Sequence, residues 1–341
     1  MFAYALCLAF CQLNSPCNAI EPVINITPEP GWVIFDPNID GYAYRYGPSI
    51  MLNDDGTMDV WFASPGGPDP SGVNQWDWIR YKHSADGGKT WGEEEVVLKA
   101  TGNSRDRYSV CDPGVIKIGS KYYLGVTAVD NEPGMCNEVF VARGDSPTGP
   151  FEKWNGSGWG GNPSPIVIFR EPKDAWGAGE PSFVVRDNTL FIYYTILSHD
   201  AEGKQIQQTH VATAVANDPN WPATVKHHGP VFDRLDNEDS TDVKFVDAAG
   251  RFLAIGTASR FTADSFIAKR ESADGFHWTA PEKITANLVP WLHNCGISGG
   301  PDGHLDIRQQ NYLGYAYSKE GGVNWGFWHT NLHPIKIEVK P

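Results

Sequence analysis

A chain of 341 residues with 41% hydrophobic content can bury a large core, in one domain or in two. Its 27 basic and 41 acidic residues leave a net charge of −14, which argues against nucleic acid or an anionic membrane as partner and suits a neutral ligand such as a sugar. With 36 Gly, 25 Pro and 12% aromatic residues, the composition favours an all-β fold of many short strands.

The chain opens with "MFAYALCLAFCQLNSPCNAIEP", an apolar run followed by a polar turn. The run has the length of a signal h-region and is too short to span a bilayer. Residues 1–19 are therefore expected to be a signal peptide, with Cys17-Asn18-Ala19 as the cleavage site. Residues 20–341 would form one exported domain, secreted or periplasmic and monomeric; "LAFC" ending at Cys11 offers a lipid anchor at the cell surface as the alternative. Cleavage leaves Cys111, Cys136 and Cys295, of which the first two could pair. No Cys/His spacing of a zinc site occurs, and no metal is expected from the residues themselves.

Further on, one pattern recurs. "YGPSIMLNDDGTMDVWFAS" begins at Tyr46, "CDPGVIKIGSKYYLGVTAV" at Cys111, "GEPSFVVRDNTLFIYYT" at Gly179, "TDVKFVDAAGRFLAIGTAS" at Thr241 and "CGISGGPDGHLDIRQQNYLGYAYS" at Cys295. Each is a Gly/Pro or polar opening, an apolar strand, a turn and an aromatic second strand. Pro48 and Pro113 are 65 residues apart, Pro113 and Pro181 are 68, and Thr241 and Cys295 are 54. Units also carry a second turn: "SADGGKTW" at Ser84–Trp91, "SPTGPFEKW" at Ser146–Trp154, "ANDPNW" at Ala216–Trp221, "SADGFHW" at Ser272–Trp278 and "SKEGGVNW" at Ser318–Trp325. Ser and Asp side chains bond back to such a turn, Gly takes positive φ, and Trp packs between sheets. These turns are expected to join outer strands and to hold the fold. They resemble the Asp-box turns of sialidases and other propellers. Five such units predict a five-bladed β-propeller of four-stranded antiparallel blades, with residues 20–40 closing the ring or covering one face.

In a propeller the innermost strands start at the mouth of a central channel. The residues at those starts are Gly47, Asp112, Glu180, Asp242 and Cys295 or its neighbours. Three carboxylates on consecutive blades suit glycoside hydrolysis, in which one carboxyl is a general acid with a raised pKa and another is base or nucleophile. Trp176, with Trp76, Trp78 and Trp291, lies on a predicted loop from which an indole could stack on a sugar. Arg45 and Tyr46 are candidate sugar contacts, and Asp106, Arg107 and Tyr108 are rim candidates just before the second blade.

The stretches "CDPGVIKIGSKYYLGVTA", "GEPSFVVRDNTLFIYYT" and "DSPTGPFEKW" resemble the five-bladed glycoside hydrolases of the family 43 and family 32 kind, over about residues 40–337. The resemblance implies a carbohydrate substrate and an inverting mechanism. It implies a base in blade one, an Asp in blade two that orients the sugar and a Glu in blade three as acid. Asp112 and Glu180 match the last two. Gly47 stands where that kind carries its first-blade Asp, so Asp36 or Asp40 could reach in from upstream, or Asp242 could serve as base, with Asp112 and Asp242 open between base and modulator. His304 in "GPDGHLD" is similar to a fifth-blade His that lines the channel in many family 43 relatives, which implies a structural calcium there but no cofactor required for the reaction. Two other readings compete. A sialidase lacks support from any Phe/Tyr-Arg-Ile-Pro motif, and a lectin-like propeller would bind sugar without an acid and base, as the missing first-blade Asp allows.

Overall fold

The computed structural model describes residues 21–37, 44–132 and 134–341. The expected leader and Asp40 lie outside these residues. Five antiparallel sheets stand around a channel as a five-bladed β-propeller. From inner to outer edge, blade one is Tyr46–Leu52, Met58–Pro65, Asp77–Ser84 and Glu95–Leu98. Blade two is Ser109–Ile118, Lys121–Val129, Glu138–Gly144 and Glu152–Lys153. Blade three is Gly177–Arg186, Thr189–His199, Gln205–Val215 and Lys226–Asp233. Blade four is Asp239–Val246, Arg251–Ala258, Phe266–Ser272 and Glu282–Ile284.

Blade five is built from both ends of the described chain. Leu292–Ile297, Asn311–Tyr317 and His329–Lys340 are followed outward by Val23–Pro28, which pairs Val23 with Lys340 and Pro28 with Ile335. Trp32–Phe35 pairs with the other half of His329–Lys340. The long C-terminal strand is thus paired on one edge with Asn311–Tyr317 from His329 to Ile335, and on the other with Trp32–Phe35 and then Val23–Pro28.

Apolar clusters lie between neighbouring blades. Met51 and Trp61 meet Leu124 and Phe140 between blades one and two, Ile116 and Tyr123 meet Phe183 and Trp221 between two and three, and Phe191 and Tyr193 meet Val243 and Phe252 between three and four. Every blade therefore buries both faces, which explains near-continuous burial along strands such as Met58–Pro65 and Arg251–Ala258.

The inner strands crowd at the channel. A Cβ added at Gly114 would stand 1.9 Å from the Pro181 carbonyl oxygen of blade three, and one at Gly296 would stand 1.9 Å from that of Pro48 in blade one. At the end away from the mouth, the turn between the first two strands of blade five crosses the channel. Its carbonyls accept backbone hydrogen bonds from every other blade in order: Gly299 from Leu52, Pro301 from Lys117, Asp302 from Val185 and Gly303 from Phe245, at 2.7–3.0 Å.

In four blades the recurring turn joins the outer two strands, and in blades one and four its Asp bonds back to the backbone. Asp86 accepts from the amides of Lys89 and Thr90, and Asp274 from those of Phe276 and His277. Trp221 and Trp278 pack between blades. The fifth differs: Ser318–Trp325 joins the second and third strands of its blade, not the outer two, and so lies at the mouth. Cys111, Cys136 and Cys295 are all free, so the anticipated pairing does not form. Cys111 lies beside Asp112, whereas Cys136 donates to the Lys173 carbonyl.

Candidate active site

Each inner strand breaks its pairing once, near its start. The irregularities fall between Tyr46 and Ser49, Cys111 and Gly114, Gly179 and Ser182, Asp239 and Asp242, and Leu292 and Cys295. A bulge re-aims a side chain. Its first residue has positive φ in four blades: Gly47 at 62°, Asp112 at 46°, Glu180 at 54° and Ser240 at 42°. Three non-glycine residues are thus held in this sparsely populated region at equivalent positions, a kind of strain that clusters at active sites and makes this end of the channel the candidate. The fourth-blade counterpart of Asp112 and Glu180 is therefore Ser240. Asp242 is two residues further into the channel.

Above the bulges lies a cavity of about 330 Å³ whose wall includes four carboxylates, Asp77, Asp112, Glu180 and Asp239. Glu180 is 5% exposed. Its Oε2 accepts from Thr195 Oγ1 at 2.7 Å and lies 3.7 Å from Arg234 Nη2. Burial, then the Asp239 charge, pushes its carboxyl well above the usual carboxylate range. Asp239 is engaged by Arg260 and lies 3.6 Å from Arg234 and 3.1 Å from His293 Nδ1. Burial opposes its ionisation, but Arg260 and the hydrogen bond from Glu180 outweigh it and hold the carboxyl well below its usual value. The two shifts run in opposite directions, favouring a proton on Glu180 and a charge on Asp239.

Asp112 sits beside this pair. The Thr127 hydroxyl accepts from the Glu180 amide at 2.7 Å and bonds to Asp112, and Cys111 Sγ lies 3.2 Å from Asp112 Oδ2. Burial, with the Asp239 charge next, raises the Asp112 carboxyl to about 6. Asp77, 2% exposed, accepts from the hydroxyls of Tyr44 at 2.6 Å, Tyr46 at 3.0 Å and Ser109 at 3.0 Å. Burial raises it to about 7, against those three hydrogen bonds. Trp76, Trp176 and Trp325 supply indole surface to the same cavity. His293 is kept neutral by burial, its value lowered to about 4, among the rings of Tyr46, Phe261, Trp325 and Trp328.

Of the residues singled out in the sequence, Glu180, Asp112, Tyr46, Trp76 and Trp176 come together here. Arg45 does not: it is fully buried between the Phe35 and Phe62 rings and paired with Glu94. Arg107 donates outward to the Asp130 carbonyl, and Asp106 is paired with Lys153 inside blade two. His304 stands at the closed end, where its ring nitrogens engage Asp247 and the Val185 carbonyl. Asp242 lines the channel wall, held by Lys244 Nζ at 2.5 Å, Ser182 Oγ at 2.8 Å and the Ile297 amide at 2.8 Å.

At His304, where the resemblance implies a calcium, both ring nitrogens already have partners in Asp247 and the Val185 carbonyl, and Asp242 on the channel wall is paired with Lys244. Among the described residues no group of three or more His, Cys, Asp or Glu side chains could hold a metal. Sequence reasoning missed Asp77, Asp239, Arg260, His293 and Trp325. Blade four carries Ser-Thr at its bulge where blades one to three carry X-Pro, so nothing marked Asp239 as the residue at the mouth.

No family model matches the chain, and no curated protein does. Solved structures do. A family 117 glycoside hydrolase produced by the marine bacterium Zobellia galactanivorans superposes with a TM-score of 0.64 at 17% identity, over 93% of this chain and 90% of that one. An alpha-L-arabinofuranosidase from Podospora anserina gives 0.59 at 14% identity, over 91% and 96%. An endo-arabinase from Bacteroides thetaiotaomicron gives 0.57 at 14% identity, over 87% and 98%. At such identities the likeness carries the fold.

Proposed function

We propose that this propeller is a glycoside hydrolase with Glu180 as general acid. The observation that carries the reading is one cavity lined by Glu180, Asp239, Asp112 and Asp77, in which burial and the Asp239 charge raise the Glu180 carboxyl. A group in that state can donate to a leaving glycosidic oxygen. The indoles of Trp76, Trp176 and Trp325 suit the apolar face of a sugar ring. The neighbours named above as glycoside hydrolase, arabinofuranosidase and endo-arabinase point the same way.

The test is hydrolysis of a panel of aryl-glycosides and plant or algal oligosaccharides by wild type and by Glu180→Gln. The expected outcome is turnover by wild type that falls by about 10²–10⁴-fold in the variant on substrates with poor leaving groups. Sugar binding retained by both proteins with no turnover on any substrate would instead support a carbohydrate-binding propeller, the reading that Gly47 favours.

A further inference from the structure

This inference rests on the hydrolase reading and addresses what it leaves open, the group that activates water. Glu180 is the acid, Asp239 is paired with Arg260, and Asp242 is paired with Lys244. Asp112 and Asp77 remain.

A base has to face the sugar from the side opposite the acid. Asp77 comes from blade one, Asp112 from blade two and Glu180 from blade three. Blade two separates blades one and three in the ring, and Asp77, Asp112 and Glu180 all line the same cavity. A sugar held with its leaving oxygen at Glu180 then turns its far face toward blade one. At Gly47 that blade offers no side chain, and a Cβ there would stand 3.3 Å from Asp112 Oδ1. Asp77 starts the third strand of the same blade, with Tyr46, the neighbour of Gly47, donating to it.

The hydrogen bonds of Asp77 leave it one opening. Tyr46 and Ser109 both donate to Oδ2, and Tyr44 donates to Oδ1. A carboxylate has about four lone-pair sites, so one remains, on Oδ1. Three hydroxyl donors fix its orientation and favour its charged form.

We propose that Asp77 is the general base of this site. Its free Oδ1 site takes a proton from a water molecule as the water oxygen bonds to the anomeric carbon. The bond from that carbon to the glycosidic oxygen breaks, and Glu180 passes its proton to the departing oxygen. Asp77 ends protonated and Glu180 ends as a carboxylate; exchange with solvent restores both. Tyr44 and Tyr46 from blade one, and Ser109, Cys111 and Asp112 from blade two, are the groups that face Asp77. Both phenols are held well above their ordinary value by burial and stay donors.

The test compares Asp77→Ala and Asp112→Ala on an aryl-glycoside that wild type hydrolyses, with and without azide. Asp77→Ala is expected to lose about 10²–10⁴-fold in turnover. Azide, which needs no base, is expected to restore part of it and to give the glycosyl azide of inverted configuration; Asp112→Ala is not restored. Asp77→Asn is expected to lose the acidic limb of the pH profile, which in wild type falls below about pH 7. Azide rescue at Asp112→Ala alone, or an acidic limb that persists in Asp77→Asn, overturns the proposal. Thermal melting and sugar binding establish that the variants fold; if Asp77→Ala does not, the Asp77→Asn profile decides. A wild type that binds sugar and hydrolyses nothing removes the hydrolase reading itself, and Asp77 as base with it.

Discussion

Whether Glu180 holds a proton depends on Asp239, and Asp239 is kept charged by Arg260. The charge of Asp239 and the hydrogen bond it accepts both raise Glu180, so Asp239→Asn lowers the Glu180 value. An acid must be protonated to act, and the alkaline limb of activity is therefore expected to move to lower pH, by about one unit or more. Rates measured across pH on a poor-leaving-group substrate check this, and an unmoved limb would disconnect the two carboxyls. Of these residues the sequence marked only Glu180, through "GEPS", just as "CDPG" marked Asp112. In both, Pro follows the bulged residue and makes it stand out. Asp239 sits in "NEDSTD", three acids within six residues and no Pro, where nothing local says which carboxyl reaches the mouth. Asp77 was harder still: it belongs to a third strand, and its three hydroxyl partners, Tyr44 and Tyr46 in its own blade and Ser109 in the next, each lie more than thirty residues away in sequence.

At the level of the strand, the bulges need room behind them. The Pro181 carbonyl is turned toward blade two, and only the missing side chain of Gly114 lets the inner strands close. Gly114→Ala is expected to cost about 1–3 kcal/mol of stability, by overpacking backbone that has no rotamer to yield. Denaturant unfolding measures it; a variant as stable as wild type would show that the strands can part. Turn grammar was legible where it was structural and misleading in one place. The Ser-to-Trp pattern identifies a turn whose Ser bonds back to the backbone, as Ser318 does with Gly321, but not which pair of strands that turn connects. In blade five it joins the second and third strands, and its Trp325 lines the cavity.

Across the whole molecule, closure is made twice. Val23–Pro28 completes blade five from the other end of the chain, and the Gly299–Gly303 turn ties that blade to all the others. Repeats that touch only neighbours unfold in parts. Here contacts of long sequence separation tie every blade to the last, so calorimetry is expected to show one transition whose measured and van't Hoff enthalpies agree. Two resolved transitions would mean that the blades melt separately. The five-unit plan was readable from repeat spacing because each blade repeats the same burial; the crossing turn was not, because its contacts are made by backbone and leave no side-chain signature. That turn also works as a gauge of ring size. It offers one carbonyl to each of four neighbours, within five residues. A duplicated blade would arrive at the hub and find no acceptor left, so a lineage that keeps this turn can change its loops and its sugar far more readily than its number of blades.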